Sequence, residues 1–146
     1  MRAEIFYRKK DFDNAFKTFD EALKINNEDH TVLNNYAYFL AEQNIRLKEA
    51  EKMAKKVIET EKENPTFLDT YAWVLYRQGK YGKAAKIMES VLRMENTTDA
   101  EYFEHYGYIL KKRRNCKTAI QNWNKAIMID STKNYLIKEI ENCNKR

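Results

Sequence analysis

Apolar positions along this chain fall in a pattern that repeats. Ala15, Ala50, Ala84 and Ala119 stand 35, 34 and 35 residues apart. Seven residues after each comes Ala22, Val57, Val91 or Ala126, and beside these sit Leu23, Ile58, Leu92 and Ile127. Apolar residues seven apart, each with an apolar neighbour, mark two helical turns on one face. A second ladder lies between the alanines: Tyr36-Ala37-Tyr38-Phe39-Leu40, Tyr71-Ala72-Trp73-Val74-Leu75 and Tyr106-Gly107-Tyr108-Ile109-Leu110, each starting 35 residues after the last. A fixed period of this size predicts a repeat array in which each unit buries its apolar face on its neighbours.

The two ladders predict two helices per repeat. First helices are expected over Val32–Gln43, Phe67–Gln78 and Glu101–Arg113. Second helices are expected over Phe12–Ile25, Leu47–Glu61, Lys80–Met94 and Cys116–Ile129. One further helix, Lys133–Cys143, carries Tyr135, Leu136, Ile137 and Ile140 as its apolar set. Asn64-Pro65 predicts a helix start, because proline lacks the N–H that the first helical position leaves unused. Asp11 is placed to cap a second helix, and Thr98 with Glu101 has capping-box spacing. Gly79 falls where a helix must end with positive φ. Small residues on facing helices (Ala37, Ala72 and Gly107 against Ala50, Ala84 and Ala119) predict close approach of the axes. Tyr36, Tyr71 and Tyr106 stand beside those small residues and are expected in the core.

Composition agrees with helices. Three glycines and one proline in 146 residues are too few for the turns of a β-architecture. The chain is 43% hydrophobic and 34% charged, enough to bury a core under a solvated surface. Net charge is only +5, with the two signs interleaved as on solvated helix faces. Two basic runs, Lys111-Lys112-Arg113-Arg114 and Arg8-Lys9-Lys10, fall at ends of first helices, where cations complement the helix dipole. Nucleic acid is accordingly an unlikely partner. No segment reaches the roughly 20 apolar residues of a membrane span, and no signal-type run opens the chain. The compartment is left open: the chain as given favours the cytoplasm, with a targeting segment outside it as the alternative.

Chemistry-bearing residues are sparse. Cys116 and Cys143 have no metal or framework spacing and are expected as free thiols. Cys116 opens a helix, which lowers a thiol pKa, but a reactive role is disfavoured. His30 and His105 have no partner at motif spacing and read as surface or cap residues. No Gly-rich phosphate loop is possible. Catalytic, metal and cofactor sites are therefore expected to be absent, and the chain reads as a non-enzyme.

The repeat resembles the tetratricopeptide repeat, whose signature is W-x2-L-G-x2-Y, then A-x3-F, then P, in about 34 residues. Here Leu68-x2-Tyr71-Ala72-x2-Leu75 is followed by Ala84-x3-Met88, and Phe103-x2-Tyr106-Gly107-x2-Leu110 by Ala119-x3-Trp123. Leu33-x2-Tyr36-Ala37-x2-Leu40 is followed by Ala50-x3-Ala54, and Ala3-x2-Phe6 by Ala15-x3-Phe19. The final proline is replaced by Asn27, Asn96 and Ser131, while Pro65 falls slightly late. The resemblance implies an all-α, right-handed α-solenoid of antiparallel helix pairs, closed by a C-terminal capping helix. It implies a single array over 1–146, with repeats at 1–29 (its first helix truncated), 30–64, 65–99 and 100–131 and the last helix in 132–146.

The resemblance also implies a binding face on the first helices, where family members hold extended or helical peptide segments. The residues expected there are Asn34, Tyr38, Asp69, Trp73, Tyr76, Arg77, Glu104, Tyr108, Lys111 and Lys112, with Tyr7 and Arg8 extending the face. Tyr and Trp combine large contact area with a polar tip, which suits binding. Some relatives clamp a peptide carboxylate with cations, but Asp69 and Glu104 put acids at such places and argue against that ligand. The expected function is a non-enzymatic protein–protein interaction module. The alternatives are self-association through array ends, including the uncapped N-terminal end, and then a nucleic-acid-associated adaptor.

Overall fold

The computed structural model describes residues 11–95 and 97–145, and the described residues form eight α-helices and one 3-10 turn, without strands. They are α1 (Phe12–Ile25), α2 (His30–Gln43), α3 (Leu47–Thr60), α4 (Pro65–Arg77), α5 (Tyr81–Leu92), α6 (Ala100–Lys112), α7 (Cys116–Ile129), the 3-10 turn Ser131–Tyr135 and α8 (Leu136–Asn144). The expected truncated first helix (with Ala3, Phe6, Tyr7 and Arg8), the basic run there, the uncapped N-terminal end and the turn residue Asn96 lie outside the described residues. The chain divides into two compact units, 1–78 and 79–146.

Local signals set the helix ends. Asp11, Asp29, Asn64 and Asn115 each accept a hydrogen bond from the backbone N–H three residues on, satisfying one of the orphan donors of a first turn. The cap of α6 is Asp99 rather than Thr98; its carboxylate accepts from Glu101 N at 2.9 Å. The turns after α2, α4 and α6 share a left-handed residue at the same phase of the 35-residue period: Asn44 (φ 56°), Gly79 (φ 83°) and Arg114 (φ 62°). Only Gly79 adopts this conformation without a Cβ penalty.

The first unit packs α1 through α4. Phe19 stacks on Tyr36 with centroids 4.8 Å apart, and Phe16 meets Phe39 edge-on at 5.0 Å. Tyr36 is fully buried, so its hydroxyl needs partners. It donates to Asp20 Oδ1 at 2.9 Å and accepts from Arg46 Nη1 at 3.0 Å. Arg46 also pairs with Glu49 and lies over the Phe16 ring. Burial and the Asp20 hydrogen bond push the Tyr36 phenol up to about 12.

The second unit packs α5 through α8. Trp123 of α7 is fully buried and donates its indole N–H to the Glu104 carbonyl at 3.3 Å. Its ring fills the notch at Gly107, so the small residue of α6 accommodates the largest side chain of α7 rather than another small one. Tyr106, expected in the core, is only partly buried, and its hydroxyl lies 3.4 Å from Glu89. Tyr36 and Tyr71 are buried as expected.

Two further expectations fail in this unit. The last helix is not continuous from Lys133. Asp130 caps a 3-10 turn through Thr132, Lys133 leaves helical geometry, and α8 begins only at Leu136. The cysteines are not free thiols: Cys116 and Cys143 form a disulfide with Cα atoms 5.6 Å apart. Their 27-residue separation follows no motif, but reversal of the chain after α7 brings its first residue to the end of α8.

Candidate functional site

The expected binding residues of the first unit lie on α2 and α4, which pack on one another. Trp73 is 7% exposed. Its indole N–H donates to Glu42 Oε1 at 2.7 Å, and its ring stacks on Tyr76 at 4.7 Å with 14° between planes. Arg77 donates through Nε to the Ala41 carbonyl at 2.9 Å, an oxygen at the end of α2 that also accepts the Asn44 backbone N–H. Tyr38, Tyr76 and Arg77 are partly exposed, while Asn34 and Asp69 are buried. The side-chain oxygen of Asn34 has no hydrogen-bond partner among the described residues. A rigid aromatic pair, an arginine head and a buried amide acceptor therefore share two adjacent helices.

The residues expected on α6 are engaged within the second unit. Glu104 is buried and receives the Lys133 ammonium at 2.8 Å and the Tyr135 hydroxyl at 2.8 Å. Burial opposes the charge on Lys133, but the Glu104 hydrogen bond and charge outweigh it and raise its pKa. Burial and the same carboxylate raise the Tyr135 phenol. Lys111 pairs with Glu139 at 2.8 Å, and Tyr108 meets Trp123 edge-on at 5.5 Å. Lys112 alone of this set is exposed. Glu104 and Lys111 thus hold the C-terminal segment, an attachment the sequence concealed because the partners lie 29 and 28 residues away.

Glu42, which fixes Trp73, lies 31 residues before it and belongs to no motif of the sequence. The histidines also find partners a repeat away or inside the fold. His30 has Nδ1 2.7 Å from Glu61 Oε2 and Nε2 3.2 Å from Thr60 Oγ1, tying the start of α2 to the end of α3. His105 is buried rather than at the surface, one helical turn before the fully buried Ile109. Among the described residues, no group of three or more His, Cys, Asp or Glu is arranged to hold a metal ion. None of the described helices is long and apolar enough to cross a membrane.

Comparison with known proteins agrees with the helix-pair architecture. The family model described as anaphase-promoting complex, cyclosome, subunit 3 matches residues 43–129, and a tetratricopeptide-repeat model matches residues 1–29. No curated protein matches the sequence. The fold is similar to that of pilF of Pseudomonas aeruginosa, at 16% identity and a TM-score of 0.72, over 98% of this chain and 69% of that one. MamA of Desulfovibrio magneticus RS-1 is 16% identical with a TM-score of 0.67, over 98% and 85% of the two chains. YrrB, described as a repeat protein with an unusual peptide-binding site, is 24% identical with a TM-score of 0.66, over 86% and 63%.

Proposed function

We propose a binding function from one premise: the chain belongs to the tetratricopeptide-repeat family described as anaphase-promoting complex, cyclosome, subunit 3, which its residues 43–129 match. The chain is a non-enzymatic module that holds a protein or peptide segment, and the contact surface is on α2 and α4. The observation that carries this reading is the Trp73–Tyr76 stack, with the Trp73 N–H fixed by Glu42. Rings held in one geometry before binding lose little conformational entropy on contact with a ligand. Tyr38 adds a partly exposed ring on α2, and Arg77 adds a cation whose stem is already ordered by Ala41. The likeness to YrrB supports a peptide-binding reading through the fold alone.

The test is selection from a random peptide library, followed by titration of the selected peptides against a Tyr38→Ala/Tyr76→Ala double variant. The variant removes the Tyr76 ring from Trp73, so circular dichroism is used to confirm that the helices remain before affinities are compared. Loss of about tenfold or more in affinity supports the reading, since aromatic anchors dominate such contacts. Unchanged affinity, or peptide-induced chemical shifts confined to other helices, removes it.

A further inference from the structure

We propose that the Cys116–Cys143 disulfide is a thiol-exchangeable latch on the C-terminal helix. Oxidised, it holds the far end of α8 against α7. Reduced, it lets residues 137–144 peel away while residues 131–136 stay in place. This goes beyond the binding reading and does not depend on it.

The asymmetry of the attachment leads to this conclusion. The near end of the segment is anchored three ways: Lys133 and Tyr135 reach Glu104, and Leu136 is fully buried beside Trp123 and Leu110. The Lys133–Glu104 pair is well shielded, with side chains 13% and 11% exposed. Beyond Leu136 the hold weakens. Ile137 is 48% exposed, and Ile140 is only partly buried. The ion pair of this stretch, Lys111–Glu139, is less shielded than Lys133–Glu104, with side chains 26% and 30% exposed. The remaining buried residue of α8 is Cys143 itself. A nine-residue helix is too short to persist undocked, so its far end depends on the covalent link.

The chemistry of opening balances without further reagents than a dithiol reductant. Cys116 is partly exposed and Cys143 is buried, so a reductant thiolate attacks Cys116 Sγ. The Sγ–Sγ bond breaks, its electron pair leaves on Cys143 Sγ, and that thiolate takes a proton from water. The second thiolate of the reductant then attacks the mixed disulfide. It closes the reductant's own disulfide and releases Cys116 as a thiolate at the first turn of α7, where backbone N–H groups favour negative charge. The reductant supplies both electrons. Cutting the link frees residues 137–144 to open locally while the rest of the chain between the cysteines stays packed.

Hydrogen exchange on the full chain tests the latch, measured air-oxidised, then with dithiothreitol, and on Cys143→Ser. Reduction is expected to speed exchange of residues 137–144 by about tenfold or more while the amides of α6 and of 131–136 stay within about twofold. Cys143→Ser is expected to exchange fast in that segment with or without reductant. If the variant does not fold, the wild-type pair of measurements decides alone. The proposal is overturned if thiol titration finds two free thiols in the oxidised protein, or if reduction leaves residues 137–144 as protected as before. Loosening spread evenly over the second unit overturns it as well.

Discussion

Gly107 and Gly82 are both helical glycines, yet their surroundings demand different outcomes. A Cβ at Gly107 overlaps the Trp123 indole, a buried ring with no room to move. Gly107→Ala is expected to destabilise by about 1–3 kcal/mol in urea denaturation through overpacking. A Cβ at Gly82 meets nothing within 4 Å, so Gly82→Ala in the first turn of α5 is expected to be tolerated, with stability unchanged or slightly raised in the same measurement. Tyr36 supplies a pH signature. Its phenol is raised from 10.0 to about 12 in the folded chain, chiefly by burial. Below about pH 10 both states keep the proton. Between there and about 12 the unfolded chain releases it while the folded chain retains it, so stability falls as pH rises through that window. Tyr36→Phe is expected to flatten this alkaline decline in denaturation curves and to remove one high-pH step from the phenolate absorbance titration.

Turns and terminal segments set the element scale. The left-handed residue that ends the turns at 44, 79 and 114 is served by Asn, Gly and Arg in turn. Arginine bears a Cβ clash there, so Arg114→Gly is expected to stabilise by about 0.5–1 kcal/mol, read from the urea midpoint at constant slope. The 3-10 turn before α8 aims Lys133 and Tyr135 at one carboxylate. Glu104→Gln keeps an acceptor for Tyr135 but leaves the shielded Lys133 ammonium without its counter-charge, an expected loss of about 2–3 kcal/mol by chemical denaturation. Lys133 has a raised pKa, so the stability from this pair is complete below 10.5 and is lost as pH rises through the higher folded value. Wild-type and Glu104→Gln stabilities should therefore converge at strongly alkaline pH.

At the scale of the molecule, a repeat chain shares stability between neighbours rather than through one central core. The two compact units, 1–78 and 79–146, give this a measurable form. Gly107→Ala is expected to lower exchange protection across α6, α7 and α8 while α2 and α3 keep most of theirs. Uniform loss over the whole chain would show instead that unfolding is a single cooperative step.

The 35-residue ladder and the caps at Asp11, Asn64 and Gly79 reveal the helices and their pairing, because helical periodicity and end chemistry are written in neighbouring residues. The break at Lys133, the disulfide and the burial of Asn34, Asp69 and Glu104 depend on what lies across a packed interface. The aromatic stack of Trp73 and Tyr76 sits on positions legible from the period, but its orienting partner Glu42 comes from the preceding repeat. Local sequence thus determined which segments become helices and which faces turn inward. Only tertiary packing decided which polar groups would be consumed within the fold, since that depends on contacts about thirty residues apart and on the shape of a single indole in a glycine notch.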